Sequence, residues 1–86
     1  MKKTIFKDQN GDIHFGVKAP ERFWAGMPED VDAAISNLGG RKFWRCNVCN
    51  DLSISLEPPR ECPTCQAGNA YVEIELNEFQ KLLALL

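Results

Sequence analysis

The chain has 86 residues, 44% hydrophobic and 26% charged, which describes one small foldable domain and excludes a disordered segment or two full domains. Its longest apolar run, residues 82–86, is far too short to span a bilayer, so no membrane partner is expected. The formal charge of −2 becomes −4 if four cysteine thiolates hold Zn(II) or Fe(II), and −3 with Fe(III), so nucleic acid is not an expected partner of so acidic a chain.

Residues 4–17 read as a β-hairpin, because Asn10-Gly11 tolerates the positive φ of a two-residue turn. Such a turn sets Phe6 opposite Phe15 and places Thr4, Phe6, Ile13, Phe15 and Val17 on one face. It leaves Lys7 beside His14 on the other, where His14 is expected as an exposed strand residue rather than a ligand or a base. Residues 18–27 read as loop, with Phe23 and Trp24 expected to be buried, the commoner outcome, or else to mark a docking surface. Residues 28–38 read as a helix: Pro28 suits the first position, Glu29, Asp30 and Asp32 suit the positive end of the dipole, and Val31, Ala34, Ile35 and Leu38 recur at helical spacing. Gly39-Gly40 supplies the stop. Residues 1–40 thus form an N-terminal hairpin-and-helix extension. After Met1-Lys2-Lys3 the apolar stretch is only Ile5-Phe6, too short for a secretory leader, and a cytoplasmic location is expected.

Residues 41–76 carry the cysteines. A strand runs from Arg41 into Cys46. Leu52, Ile54 and Leu56 alternate with polar residues as in a half-buried strand that Pro58-Pro59 ends. Val72, Ile74 and Leu76 alternate again, with Glu73 and Glu75 on the opposite face. Residues 77–86 read as a closing helix with Asn77 as N-cap and Phe79, Leu82, Leu83 and Leu86 as its apolar stripe. Ten residues are marginal as an isolated helix, so this stripe must pack on the module. The predicted class is α+β: a small metal-stapled domain.

The cysteines decide the chemistry. Cys46-Asn47-Val48-Cys49 and Cys62-Pro63-Thr64-Cys65 are separated by twelve residues. Two residues between cysteines let both sulfurs of one tight turn reach one ion, and two such turns close a tetrahedral shell suited to zinc or a single iron. A dithiol of the thioredoxin type would explain one pair and leave the other idle. In a cytosolic chain paired cysteines point to a metal rather than a disulfide. A domain of this size buries only about 60% of the surface its unfolded chain exposes. A structural metal adds on the order of 10 kcal/mol to folding.

Phe43-Trp44-Arg45-Cys46-Asn47-Val48-Cys49, followed by Glu57-Pro58-Pro59-Arg60-Glu61-Cys62-Pro63-Thr64-Cys65, resembles the short-spaced rubredoxin-like domain found at the end of rubrerythrins. The resemblance covers residues 42–74. It implies a rubredoxin-like β module in which Cys46, Cys49, Cys62 and Cys65 ligate one Fe(II/III) ion for one-electron transfer. The alternative is Zn(II) in a structural zinc-ribbon interaction module or a small subunit of a larger enzyme, since zinc ribbons use the same knuckles. A closed four-sulfur shell leaves no open position, so an electron carrier or binding module is expected rather than an enzyme. The di-iron centre of rubrerythrins needs several Glu-x-x-His ligands, and this chain has one histidine. The family places glycine, at positive φ, after the second cysteine of each knuckle; here Asn50 and Gln66 stand there. Asp51 replaces the aromatic that follows in the first knuckle, and its carboxylate is expected to lower the potential. Trp44 is expected to shield the site from water. Arg41, Lys42, Arg45 and Arg60 are read as a solvated rim, with docking of an acidic ferredoxin or flavoprotein partner as the sharper alternative.

Overall fold

The computed structural model describes residues 4–85. Six strands form one antiparallel sheet: β1 (Thr4–Lys7), β2 (Ile13–Gly16), β3 (Trp24–Ala25), β4 (Lys42–Cys46), β5 (Leu52–Ser55) and β6 (Tyr71–Ile74). Their order across the sheet is β3-β1-β2-β5-β4-β6. Helix α1 (Pro28–Ser36) joins β3 to β4, and α2 (Leu76–Ala84) follows β6. The class is α+β as the sequence predicts, and β2 pairs directly with β5, so hairpin and cysteine segment share one sheet.

The register explains the two faces. Ile13 lies opposite Ile54, Phe43 opposite Ile54 and Ile74 opposite Phe43, so these side chains share one face. With Phe15 and Leu52 they meet Val31 and Ala34 of α1 and Phe79 of α2. Phe79 is fully buried, edge-on to Phe15 at 5.7 Å and tilted against Phe43 at 4.8 Å. Burying a ring of this size stabilises the fold by about 1.5–3 kcal/mol. The other face carries His14, Ser53 and Trp44, opposite one another across three strands. Beyond Trp44 lie Cys46 and Tyr71, also paired. The cysteine cluster packs on this second face.

The hairpin turn is wider than the Asn10-Gly11 signal predicts. The Asp8 carboxylate accepts from the N–H groups of Asn10 and Asp12, which caps a longer loop, and Gly11 has φ +87°. The register is therefore one residue off expectation: Phe6 faces His14, and Ile5 faces Phe15. A one-residue shift exchanges the faces of a strand, so Ile5 and not Phe6 packs on the helical core.

Helix α1 forms where expected, and Gly39 and Gly40 both take positive φ after it. Residues 24–25 are a short strand rather than loop, and Trp24 is exposed on it, against the expectation of burial. All four residues of β5 are buried, because the sheet is covered on both faces; Leu56 lies beyond the strand and is exposed. In β6 the buried residues are Tyr71 and Ile74, while Val72 is exposed; Leu76, expected to continue the strand, is exposed at the start of α2. The N-cap of α2 is Glu75, so Asn77 sits inside the first turn. Phe79, Leu82 and Leu83 face the core as expected, and Leu86 lies outside the described residues. Among the described residues no helix is long and apolar enough to cross a membrane.

Candidate metal centre

Strand β4, between β5 and β6, ends at Cys46, where the chain turns back on itself. The Asn50 N–H donates to Cys46 O at 2.9 Å, and the Cys46 N–H donates to Asp51 O at 2.8 Å. The second turn repeats the pattern: Gln66 N–H donates to Cys62 O at 2.7 Å, and Cys62 N–H donates to Ala67 O at 3.0 Å. Asn50 and Gln66 take φ 65° and 64°, the left-handed backbone expected at both places. The Asn47 N–H reaches Ala70 O at 2.8 Å, and the Asn69 N–H reaches Arg60 O at 2.8 Å, which fixes the two turns against each other.

This brings all four sulfurs together. Cys46 and Cys65 Sγ lie 3.6 Å apart, Cys49 and Cys62 Sγ 3.4 Å, and all four fall within 4.8 Å of one another. A tetrahedron with metal–sulfur bonds of about 2.3 Å has edges of about 3.8 Å. The cluster therefore fits a single zinc or iron ion, and Cys46, Cys49, Cys62 and Cys65 are positioned to hold it. None of the four forms a disulfide.

Electrostatics favour a cation at this point. Burial opposes ionisation of Cys46, but the N–H groups of Cys49 and Val48 aim at its sulfur and hold its pKa below the ordinary thiol value. Burial raises the pKa values of Cys49 and Cys62, against donation from the Asp51 N–H to Cys49 and from the Cys65 and Thr64 N–H groups to Cys62. Four thiolates cannot share so small a space unless a cation compensates them. The same N–H donors stabilise the sulfurs once ionised.

Trp44 is buried against this cluster, and its Nε1–H donates to Ser55 O at 3.1 Å, so the ring shields the site as expected. Asp51 is fully buried, with Oδ2 3.6 Å from Cys62 Sγ. Two further residues of the site were not legible in the sequence. His14 is fully buried rather than exposed, with Nε2 3.7 Å from the same Asp51 oxygen. It lies outside the four-sulfur group. The Tyr71 hydroxyl is buried beside Cys62; burial, then that sulfur, push its pKa above the ordinary tyrosine value. Only the strand order, with β2 beside β5, places His14 here, and no local sequence pattern carries that.

The basic residues do not form one rim. Arg41 pairs with Asp12 at 2.9 Å, donates to Leu38 O at 3.1 Å and reaches Asn10 O, so it braces the hairpin turn. Lys42 pairs with Glu73 at 3.7 Å, and Arg45 with Glu78 at 3.3 Å. Arg45 also donates to Asn50 Oδ1 at 3.2 Å. Arg60 is exposed on the loop before Cys62.

Comparison with known families matches residues 44–73 to the rubredoxin-like domain of rubrerythrin. Comparison with curated proteins and with solved structures gives no match.

Proposed function

We propose that the chain is a one-electron carrier, with Cys46, Cys49, Cys62 and Cys65 as the four thiolate ligands of a mononuclear iron. The observation that carries this reading is the closed cluster of four sulfurs lying within the stretch that matches a rubredoxin-like domain. When bound, iron supplies one reversible electron between Fe(II) and Fe(III). The protein does the rest. Four sulfurs leave no position for substrate, so bond chemistry is excluded from the centre. The N–H groups of Val48, Cys49, Asp51, Thr64 and Cys65 aim at the sulfurs and stabilise their charge in both oxidation states. Trp44 and Tyr71 keep water from the sheet side. On the opposite side Cys49 and Cys65 are only partly covered, and Val48 is 65% exposed, which leaves an apolar contact for a redox partner of ferredoxin or flavoprotein type.

A specific observation favours a second reading, a structural zinc site in an interaction module or enzyme subunit. The buried Asp51 carboxylate adds negative charge beside Cys62, which disfavours an extra electron. Expression in iron-replete medium separates the two. The carrier reading expects one iron per chain and a visible sulfur-to-iron absorption that dithionite bleaches. A colourless protein with stoichiometric zinc, despite abundant iron, overturns it.

A further inference from the structure

Three polar atoms from distant parts of the chain converge over Gly16. A Cβ added there would lie 2.6 Å from Asp51 Oδ2, 2.8 Å from His14 Nε2 and 2.9 Å from Thr64 Oγ1. Thr64 sits inside the second knuckle, and its hydroxyl accepts from the N–H groups of Val17 at 3.1 Å and Lys18 at 3.4 Å. The end of β2 is thus fastened to the metal-binding turn. His14 is fully buried, and among the described residues neither ring nitrogen has a hydrogen-bond partner. Desolvating both nitrogens is unfavourable, and an apolar ring would fill the space without that cost. The Asp51 carboxylate faces the imidazole, with Oδ2 3.7 Å from Nε2. That same Oδ2 atom lies 3.6 Å from Cys62 Sγ.

We propose that His14 is a positioning residue that sets the potential of the four-sulfur centre through Asp51. A proton on Nε2, in the neutral or the charged ring, gives Oδ2 a positive pole to face. Electron density on Asp51 is drawn toward β2 and away from Cys62. In a buried, poorly screened setting this polarisation reaches the sulfur strongly. Residues 4–17 then do more than complete a sheet: they carry the group that offsets a carboxylate placed beside an anionic centre.

This inference rests on the one-electron reading, so its test has two arms. In the iron-loaded protein the potential is measured for wild type, His14→Leu, Asp51→Asn and the double variant. Asp51→Asn should raise the potential, and His14→Leu should lower it. In the Asp51→Asn background the leucine substitution should have no further effect, because the route through the carboxylate is gone. An equal shift in both backgrounds, or no shift in either, overturns the proposal. Should the leucine variant fail to fold, His14→Gln takes its place in the cycle, with a smaller shift of the same sign expected because an N–H donor remains. The second arm uses Co(II) as the probe and reads the sulfur-to-cobalt absorption of the same four proteins. A band shift on replacing His14 that is present with Asp51 intact and absent in the Asp51→Asn background supports the proposal; a shift independent of residue 51, or none, overturns it. A wild type that takes no iron, or shows no reversible wave, defeats the electron-transfer reading alone, and the cobalt arm still decides the role of His14.

Discussion

Asn50 and Gln66 occupy the same station in the two knuckles, each donating its N–H to the carbonyl of the first cysteine, and share one left-handed conformation with φ 65° and 64°. For an ordinary side chain that backbone costs about 1–2 kcal/mol, and asparagine bears it best. Gln66→Gly should therefore raise stability by up to about 1 kcal/mol, after glycine's greater freedom in the unfolded chain is set against the relief. Asn50→Gly should gain nothing, since Asn50 also accepts from Arg45. Gln66→Ile should lose about 1–2 kcal/mol. Urea unfolding of the metal-loaded protein checks all three, and a stabilising effect of Gln66→Ile would contradict the strain.

Gly16 has no room for a methyl group. A Cβ there would press on Asp51, His14 and Thr64 at 2.6–2.9 Å, and the first two are fully buried. Gly16→Ala should destabilise the protein by about 1–3 kcal/mol, the usual range for overpacking. It should also loosen the contact between β2 and the second knuckle, seen as faster amide exchange at Val17. An unchanged unfolding midpoint would show that the cluster yields without cost.

Cys62 is fully buried and holds the second knuckle to the first. Cys62→Ser should abolish stoichiometric metal binding and unfold at least residues 42–76, since the lost metal term is on the order of 10 kcal/mol. Metal analysis and amide exchange read the two effects separately. Retained protection in β4 and β6 would mean that the helical core around Phe79 suffices without the metal.

The residues that were legible in the sequence are those whose role is local. The knuckle spacing located all four sulfurs, and the need for positive φ located Asn50 and Gln66. The Pro28 start and Gly39-Gly40 stop bracketed α1. What stayed hidden depends on which strands become neighbours. His14 alternates out of phase with Ile13 and Phe15 and reads as solvent-facing, yet β2 lies between β1 and β5 with both its faces covered. Ser53 and Ser55 are buried for the same reason. The hairpin register turned on the Asp8 side chain capping the loop, a contact that competes with the Asn10-Gly11 signal. In β6, Cys46 pairs with Tyr71, so burial against the metal face overrides the apolar alternation that Val72 suggests.

Asp30 ties the start of α1 to the hairpin. Its carboxylate accepts from the Met27 N–H at 2.7 Å and from Lys7 at 3.1 Å, and these contacts, the first above all, hold its pKa below the ordinary 3.8. A carboxylate with a lowered native pKa stabilises the fold above its unfolded value, and that contribution is lost as pH falls through the native value. The Met27 amide resonance should therefore shift with a midpoint below 3.8, and Asp30→Asn should abolish the shift. A midpoint at or above 3.8 would contradict the contact.

The iron assignment is tested most directly on protein isolated from its own cells, by metal analysis followed by a redox titration under visible light absorption. One iron per chain, with absorption lost on uptake of one electron and restored on reoxidation, is the predicted result. One zinc per chain, no visible band and no electron taken up would contradict it.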